Sequence, residues 1–291
     1  MRLEGTFLTS ASRNRPRIYD VFLFNMELDM LEVKLAEMSR YVDAFVLLES
    51  SISTTGLPKP LYFDEAKPRF SGYAEKIVHL KLNSSGSGPD SWARECYQRE
   101  QLFAGLRDVR DGDVVIVTDV DEIIRSEVLR TLKECSGYSN GNLQFDMRLY
   151  YYAYNLRHPN PWSVKGTVWN STLNLTAQDV RHAASQSIKH TFNDAGWHCS
   201  CCFSTIRDIR NKMVHYTHTD LTGNLALHTK EHIVSVVRRG EDLYDRAGQK
   251  YYFIENLTDV PKFVLSNAVR FSFLLDRRIT NAGFHDFNDT V

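Results

Sequence analysis

The chain has no excess of charge of either sign and no long apolar run. Its 291 residues include 35 Lys and Arg against 36 Asp and Glu, a net charge of −1. It therefore lacks the basic field that collects nucleic acid or an anionic membrane surface. No apolar run approaches the roughly 20 residues of a spanning helix, and residues 1–17 lack the apolar core of a signal peptide. We expect no nucleic-acid partner and no membrane span in this chain.

Cysteine is scarce as well, and the five cysteines cannot all pair within one chain because their number is odd. Cys199 and Cys202 form a C-x-x-C motif with Cys201 between them. A zinc site usually needs a second such pair, and Cys96 and Cys135 do not supply one. Buried thiols or one structural disulfide are therefore the favoured interpretations.

What the chain does have is enough apolar sequence for a core. Hydrophobic residues make up 43% of the sequence, which suits one large domain, residues 18–291, after an N-terminal extension, residues 1–17. Strand-like and helix-like segments alternate through the first half and predict a doubly wound, mostly parallel α/β sheet. The predicted strands are residues 18–25, 44–49, 76–82, 114–117 and 142–149, and the predicted helices are residues 30–38, 91–106 with Ser91 as N-cap, 127–134, and segments after 206 and 225.

The segment DVVIVTDVDEII, residues 113–124, joins an apolar strand to a group of acids. Residues 114–117 show no polar alternation, which is typical of a parallel strand covered on both faces. The acids follow at its carboxyl end, where open α/β sheets bind ligands. Such close carboxylates repel one another unless a positive group joins them.

The D-x-D spacing of Asp119 and Asp121 indicates what that group is. In an extended segment residues i and i+2 point the same way, so both carboxylates can meet at one point. Two hard oxygen ligands suit Mg²⁺ or Mn²⁺. The alternative is that these acids only cap the helix that follows.

Four motifs in the same order carry a resemblance. VTDVDEI, with SWARECYQRE before it, LLESSISTTGLPKPL near the start and AGWHCSCCF later, resembles glycosyltransferase family seventeen, the β-1,4-mannosyl-glycoprotein 4-β-N-acetylglucosaminyltransferases. The match runs from about Ile18 to the segment RFSFLLD. One departure is Ile124, where the family usually has proline; we expect it to alter the turn and not the ligands.

The resemblance implies a single GT-A type, Rossmann-like domain that transfers a sugar with inversion and depends on Mn²⁺ or Mg²⁺. It implies a UDP-sugar donor, with N-acetylglucosamine as the expected sugar, and a glycan or glycoprotein acceptor. It also implies the Golgi or secretory lumen, toward which five N-glycosylation triplets lean weakly; a cytoplasmic location is the alternative because no anchor or signal segment is visible.

The resemblance also assigns metal and donor residues. Asp121 is the expected direct metal ligand, with Asp119 on the ribose or the metal and His218 closing the metal site. A helix-capping role is the alternative for His218. The expected donor-binding residues are Glu49, Lys59, Gln98, Arg99 and Asp119. Glu49 could instead cap a helix or turn, and Arg99 could form a surface salt bridge.

The AGWH segment supplies the remaining candidates. Inversion needs a carboxylate opposite the leaving group to take the acceptor proton, and Asp194 is the expected base, with Glu122 as the reserve. Trp197 could stack on an acceptor sugar or simply belong to the core. His198 is interpreted as structural.

Two other functions compete with sugar transfer. In a D-x-D phosphoryl-transfer enzyme Asp119 would be the nucleophile, but that class places its motif at the first strand and has Thr or Val where this chain has Ile123. A catalytically inactive sugar-binding module of the same fold is the third possibility, which only an activity measurement excludes.

Overall fold

A computed structural model describes residues 6–7, 15–84, 86, 88–136, 138, 141–215, 217–218, 221 and 223–289. Most of the predicted N-terminal extension lies outside these residues. Within them, no helix combines the length and the apolar character needed to cross a bilayer.

The strands and helices are numbered here in chain order. The strands are β1 Thr6–Phe7, β2 Ile18–Phe24, β3 Ala44–Ser50, β4 Ile77–Leu82, β5 Val114–Asp119, β6 Glu122–Ile124, β7 Cys135–Ser136, β8 Gly141–Tyr151, β9 Ala153–Arg157, β10 Trp162–Val168, β11 Ile188–Phe192, β12 Gly196–Ser200 and β13 Tyr252–Phe253. The α-helices are α1 Leu28–Met38, α2 Tyr62–Ala66, α3 Ser91–Glu100, α4 Ser126–Glu134, α5 Ala177–Arg181, α6 Ile206–His215, α7 Lys230–Arg239 and α8 Lys262–Ser266. Short 3₁₀ helices span Lys67–Lys76, Gln101–Gly105, Ser185–Ser187, Leu225–His228 and Ser272–Leu274.

One half of the central sheet is parallel, as predicted. Strands β4, β3, β2 and β5 lie side by side in that order and run in the same direction. Along β5, Val114 and Ile116 join the core cluster that contains residues of α1, while Val115 and Val117 pack with Leu102 and α5 residues on the other face. Both faces are covered, which explains why the strand shows no polar alternation.

The other half of the sheet combines antiparallel and parallel pairs, so the sheet is mixed. Strand β10 pairs antiparallel with both β5 and β8, and β8 also pairs with β9, β11 and β12. In β8 buried and half-buried residues alternate over much of its length, which is typical of an antiparallel strand with one covered face. The expectation of a mostly parallel sheet is therefore met only roughly, because parallel and antiparallel pairs both occur around β8.

The order of the parallel strands creates a switch point. From β2 the chain adds β3 and then β4 on one side, and it returns to place β5 on the other side of β2. Ligands of open α/β sheets bind where neighbouring connections diverge in this way, beyond the carboxyl ends of the strands. The acids after β5 lie at that edge.

One alternative interpretation is excluded, and one local prediction needs correction. Asp119 and Asp121 cap no helix: Glu122–Ile124 form β6, which pairs with β12, and α4 begins only at Ser126. The cap of α3 is Asp90, whose carboxylate accepts the backbone N–H of Ala93 at 2.8 Å. Ser91 instead donates its hydroxyl to the carbonyl oxygen of Thr217 at 2.5 Å.

Candidate functional site

A cavity of about 440 Å³ opens at the switch point, beyond the carboxyl ends of β2 and β5. Asp119 and Asp121 both line it, as the D-x-D spacing predicts. Its other walls come from α3, α5, β12 and α6, which contribute polar, aromatic and basic side chains. A cleft of this size with a few convergent charged groups is the usual form of a small-molecule site.

Asp121 is a buried acid of the cavity wall. It is 6% exposed, and its carboxylate lies 3.6 Å from Nε2 of His198. Burial alone would raise the pKa of Asp121, but the nearby charge of His198 outweighs burial and lowers it. The backbone carbonyl of Asp121 accepts the N–H of Cys199 at 3.0 Å. Strand β12 therefore holds one side of the acidic turn, residues 119–122 between β5 and β6.

Asp119 is already balanced by two arginines. Arg99 approaches its carboxylate at 3.3 Å and Arg181 at 3.0 Å. Burial opposes ionisation, but Arg181 and Arg99 together hold the pKa of Asp119 well below its usual range. Asp119 is therefore a charged acceptor whose geometry is set before any ligand arrives.

Glu122, the predicted reserve base, lies beneath the cavity and is completely buried. Its carboxylate accepts two hydrogen bonds from Arg181, at 2.7 and 2.8 Å, one from Nε1 of Trp162 at 2.5 Å and one from the backbone N–H of Asp119 at 2.7 Å. These four bonds fill the positions at which a carboxylate accepts. The geometry makes Glu122 an anchor for its neighbours.

A buried lysine that the sequence reasoning missed holds the acidic turn from below. Nζ of Lys34 donates to the carbonyl oxygens of Asp119 and Glu122, at 3.2 and 2.7 Å, and to the hydroxyl of Thr118 at 2.8 Å. It also forms a 3.0 Å ion pair with Asp20, and both side chains are fully buried. The available signals were a cation on the apolar face of α1 and an acid inside the apolar strand β2.

Three of the predicted donor-binding side chains line the cavity beside Asp119, namely Lys59, Gln98 and Arg99. Nζ of Lys59 donates to the carbonyl oxygens of Asn25, at 2.9 Å, and of Pro60, at 3.3 Å. Burial lowers the pKa of Lys59, and no described carboxylate forms an ion pair with it. Its charge is thus available to an anionic ligand.

Glu49, the remaining donor candidate, lies outside the cavity lining. It is fully buried, and its carboxylate accepts the backbone N–H groups of Phe63 and Asp64 at 2.8 and 3.2 Å. Those groups belong to the first turn of α2, where a carboxylate stabilises a helix. The structure places Glu49 in the capping role that was its alternative interpretation.

Asp194 and Trp197 also lie away from the cavity lining. The Asp194 carboxylate forms ion pairs with Arg125 at 3.0 Å and Arg148 at 2.8 Å. Trp197 is 5% exposed, and the Arg125 guanidinium stands 4.1 Å from its ring centre. Neighbouring side chains of a strand point to opposite faces, so β12 presents His198 to the cavity and keeps Trp197 in the core.

His218 lines the cavity, but the predicted ligand set is not assembled. Its ring packs edge-on against Trp92, with centroids 4.5 Å apart. Across the described ranges no three His, Cys, Asp or Glu side chains converge as metal ligands. The histidine that approaches Asp121 is His198, which the sequence reasoning interpreted as structural. Its position depends on the pairing of β12 with β6, where His198 lies opposite Glu122, and such long-range pairing cannot be read from the local sequence.

The C-x-x-C motif is a disulfide between Cys199 and Cys202, whose Cα atoms are 5.8 Å apart. This is one of the two interpretations favoured from the sequence, and it leaves those thiols unavailable to zinc. Cys201 and Cys135 are buried free thiols, and Cys96 is partly buried. The disulfide links Cys199, the residue after His198 in β12, to Cys202, which follows the end of that strand.

A mixed α/β sheet with an acidic turn and a cavity of about 440 Å³ at its switch point defines the class, a ligand-binding α/β protein. The model of glycosyltransferase family 17 matches residues 6–280. The chain belongs to glycosyltransferase family 17, and the resemblance read from its motifs is confirmed.

Named relatives agree with the family. The chain is 27% identical over 296 residues to a Homo sapiens "Beta-1,4-mannosyl-glycoprotein 4-beta-N-acetylglucosaminyltransferase", covering 89% of this chain and 55% of that protein. The Rattus norvegicus protein of the same name is also 27% identical, with 89% and 54% covered. The chain thus spans about half the length of these curated relatives. Among solved structures, a mannosyltransferase from Pyrobaculum calidifontis in complex with GDP-Man and Mn²⁺ is similar at a TM-score of 0.41 and 10% identity, covering 78% of this chain and 64% of that one.

Proposed function

We propose that the protein transfers N-acetylglucosamine from a UDP-sugar to a glycan that carries β-1,4-linked mannose, with inversion and with a divalent metal. The family and the name of the curated relatives support the sugar and the acceptor. The observation that carries the proposal is the buried carboxylate of Asp121 at the wall of the switch-point cavity.

The residues at the acidic turn fit a hard divalent cation. Asp121 offers carboxylate oxygens, which Mg²⁺ and Mn²⁺ prefer, and His198 beside it is an acceptable companion for Mn²⁺. Asp119 has its charge met by Arg99 and Arg181, so we assign it to a ribose hydroxyl or the outer shell of the metal. When bound, the metal would stabilise negative charge on the departing diphosphate.

Lys59 complements the same diphosphate with a positive charge at the cavity wall. It projects from the connection after β3 and is anchored on the carbonyl of Asn25, directly after β2. A partly desolvated ammonium that lacks a carboxylate partner among the described residues favours an anion strongly. In the sequence it was the weaker of the two cations, but the structure leaves it less neutralised than Arg99.

The base predicted at Asp194 or Glu122 is not part of this proposal. A general base must come within hydrogen-bond reach of the acceptor hydroxyl, about 2.6 to 3.2 Å. Asp194 is outside the cavity lining and paired with two arginines, and Glu122 already accepts four hydrogen bonds.

The proposal extends to the location, the Golgi or secretory lumen. Four of the five acceptor triplets have an exposed asparagine, namely Asn83, Asn174, Asn256 and Asn288. Glycans attached in a eukaryotic host should be removable by an amidase with a fall in mass, and an unchanged mass would contradict the lumen.

The test is incubation with UDP-N-acetylglucosamine, Mn²⁺ and an N-glycan that contains β-1,4-linked mannose. We expect free UDP and a glycan enlarged by one sugar, and neither product with Asp121→Ala. Release of inorganic phosphate would favour the phosphoryl-transfer alternative. Nucleotide binding without any product would make the protein a sugar-binding module.

A further inference from the structure

Two exposed tryptophans stand at the cavity, Trp92 at 50% exposure and Trp162 at 38%. Indole rings contribute large apolar area and are usually well covered in folded proteins, as Trp197 is at 5%. An aromatic ring left open in a polar ligand cavity therefore indicates a surface that a ligand covers.

The ring of Trp162 is held in one orientation. Its indole N–H donates to the buried carboxylate of Glu122 at 2.5 Å, and Glu122 is itself clamped by Arg181. The ring also packs against His198, with centroids 4.9 Å apart and planes at 57°. A ring fixed before binding loses little conformational entropy when a ligand stacks on it.

The strand register places Trp162 on the side of the cavity away from the nucleotide-binding crevice. Strand β10 runs antiparallel to β5 with Lys165 opposite Val117, so Trp162, three positions earlier, lies level with Val120 in the acidic turn. The crevice between β2 and β5 is on the other side of β5. Trp162 and that crevice therefore lie on opposite sides of β5.

Trp92 lies on the opposite wall. It lies in the first turn of α3, which is anchored to the connection after β3 by the bond from Nε of Arg94 to the carbonyl oxygen of Thr54, 2.6 Å long. That connection follows the strand next to β2, on the nucleotide side. The two exposed rings thus stand on different sides of the crevice between β2 and β5.

We propose that the ring of Trp162 is the platform on which a pyranose ring of the acceptor glycan stacks, a subsite that rests on the sugar transfer proposed above. A pyranose presents an apolar C–H face and a polar hydroxyl rim, so a flat indole can cover the face while hydroxyls reach the polar groups nearby. Trp162 takes the role that the sequence gave to Trp197.

A matched pair of variants tests this platform. Trp162→Phe and Trp162→Leu both lose the hydrogen bond to Glu122, but only the first retains an aromatic ring. We expect Trp162→Leu to raise the KM for a β-1,4-mannose N-glycan about tenfold or more, while Trp162→Phe stays near the parent. Both should keep the parental Kd for UDP with Mn²⁺. Tyr252→Leu, which removes an exposed aromatic residue outside the cavity lining, serves as the control and should leave the glycan KM unchanged.

An unchanged glycan KM in Trp162→Leu would refute the stacking role of Trp162. A loss of UDP affinity as large as the loss of glycan affinity would also refute it, since the ring would then contact the nucleotide. Should Trp162→Leu not fold, fluorotryptophan NMR of the parent decides. The chain has four tryptophans, and Trp162→Phe identifies the resonance of Trp162. The glycan should shift that resonance in the presence of UDP and Mn²⁺, and no shift refutes the inference. Failure of the parent to bind UDP at all would refute the proposed transfer itself, a separate result.

Discussion

Replacing Lys34 with methionine removes the ammonium beneath the acidic turn but keeps a side chain of similar length. In the parent that ammonium is paired with the fully buried Asp20 and donates to two backbone carbonyls and to Thr118. Burial raises the pKa of Asp20 despite Lys34 and the Thr118 hydroxyl, which shows how strongly this carboxylate is desolvated.

The expected loss follows from what is left behind. Removing one partner of a buried ion pair costs about 3–5 kcal/mol because the other charge remains buried and unpaired. The free energy of unfolding of a whole domain is about 5–15 kcal/mol, so the variant should be only marginally stable. Uptake of a proton by Asp20 would limit the loss to the lower end.

Urea denaturation followed by circular dichroism measures the effect, with Asp20→Asn/Lys34→Met as the control. The double variant leaves no unpaired charge, and its amide can still accept from Thr118, so it should regain at least half of the lost stability. A single variant within about 1 kcal/mol of the parent, the level of an exposed pair, would refute the reasoning. A double variant no more stable than the single variant would mean that the loss comes only from the backbone carbonyls that no longer accept a hydrogen bond from Lys34.

Three further outcomes can be checked separately. Lys59→Met should weaken UDP by about tenfold while uridine binds as before, because the lost charge faces the diphosphate; calorimetry with both ligands decides, and an equal effect on uridine refutes it. Asp194→Asn should retain most of the transfer rate, because this carboxylate lies outside the cavity lining; a fall of about 10² or more in kcat with UDP affinity intact would restore it as the base. Burial opposes ionisation of Asp259, but hydrogen bonds and charge from Arg125 lower its pKa. Its contribution to stability is therefore present above the unfolded pKa of about 3.9 and is lost as the pH falls through the lower folded value. Asp259→Asn should make the urea midpoint fall less steeply at acidic pH than it does in the parent. An unchanged acid dependence of the urea midpoint would contradict this.

The parallel half of the sheet could be predicted because its signal is local. Strand β5 is an apolar run without alternation, and the acids that follow it must lie at the strand-end edge. The half of the sheet around β8 could not be predicted in the same way, since the pairing of β8 with several partners depends on contacts far apart in the sequence. The aromatic segment that contains Trp162 shows neither the helical nor the strand periodicity of apolar residues, so its structure could not be predicted from the sequence.

The same distinction applies to the site. Asp119 and Asp121 were predicted as neighbours from two-residue spacing, and the structure places both at the cavity. His198 reaches Asp121 only through the register of β12 with β6. Lys34 reaches the turn only because α1 packs across the sheet. Neither juxtaposition has a local sequence signal strong enough to outweigh the ordinary interpretation of a buried histidine or a surface lysine.

The central claim is that Asp121 supports metal-dependent binding of a nucleotide sugar in the switch-point cavity. Titration calorimetry of UDP in the presence of Mn²⁺ and after chelation, on the parent and on Asp121→Ala, tests it directly. We predict UDP binding by the parent only with Mn²⁺ and no Mn²⁺-dependent binding by the variant, because a lone remaining carboxylate cannot hold the hydrated cation. Equal UDP affinity in parent and variant, or binding by the parent that chelation leaves unchanged, would contradict the claim.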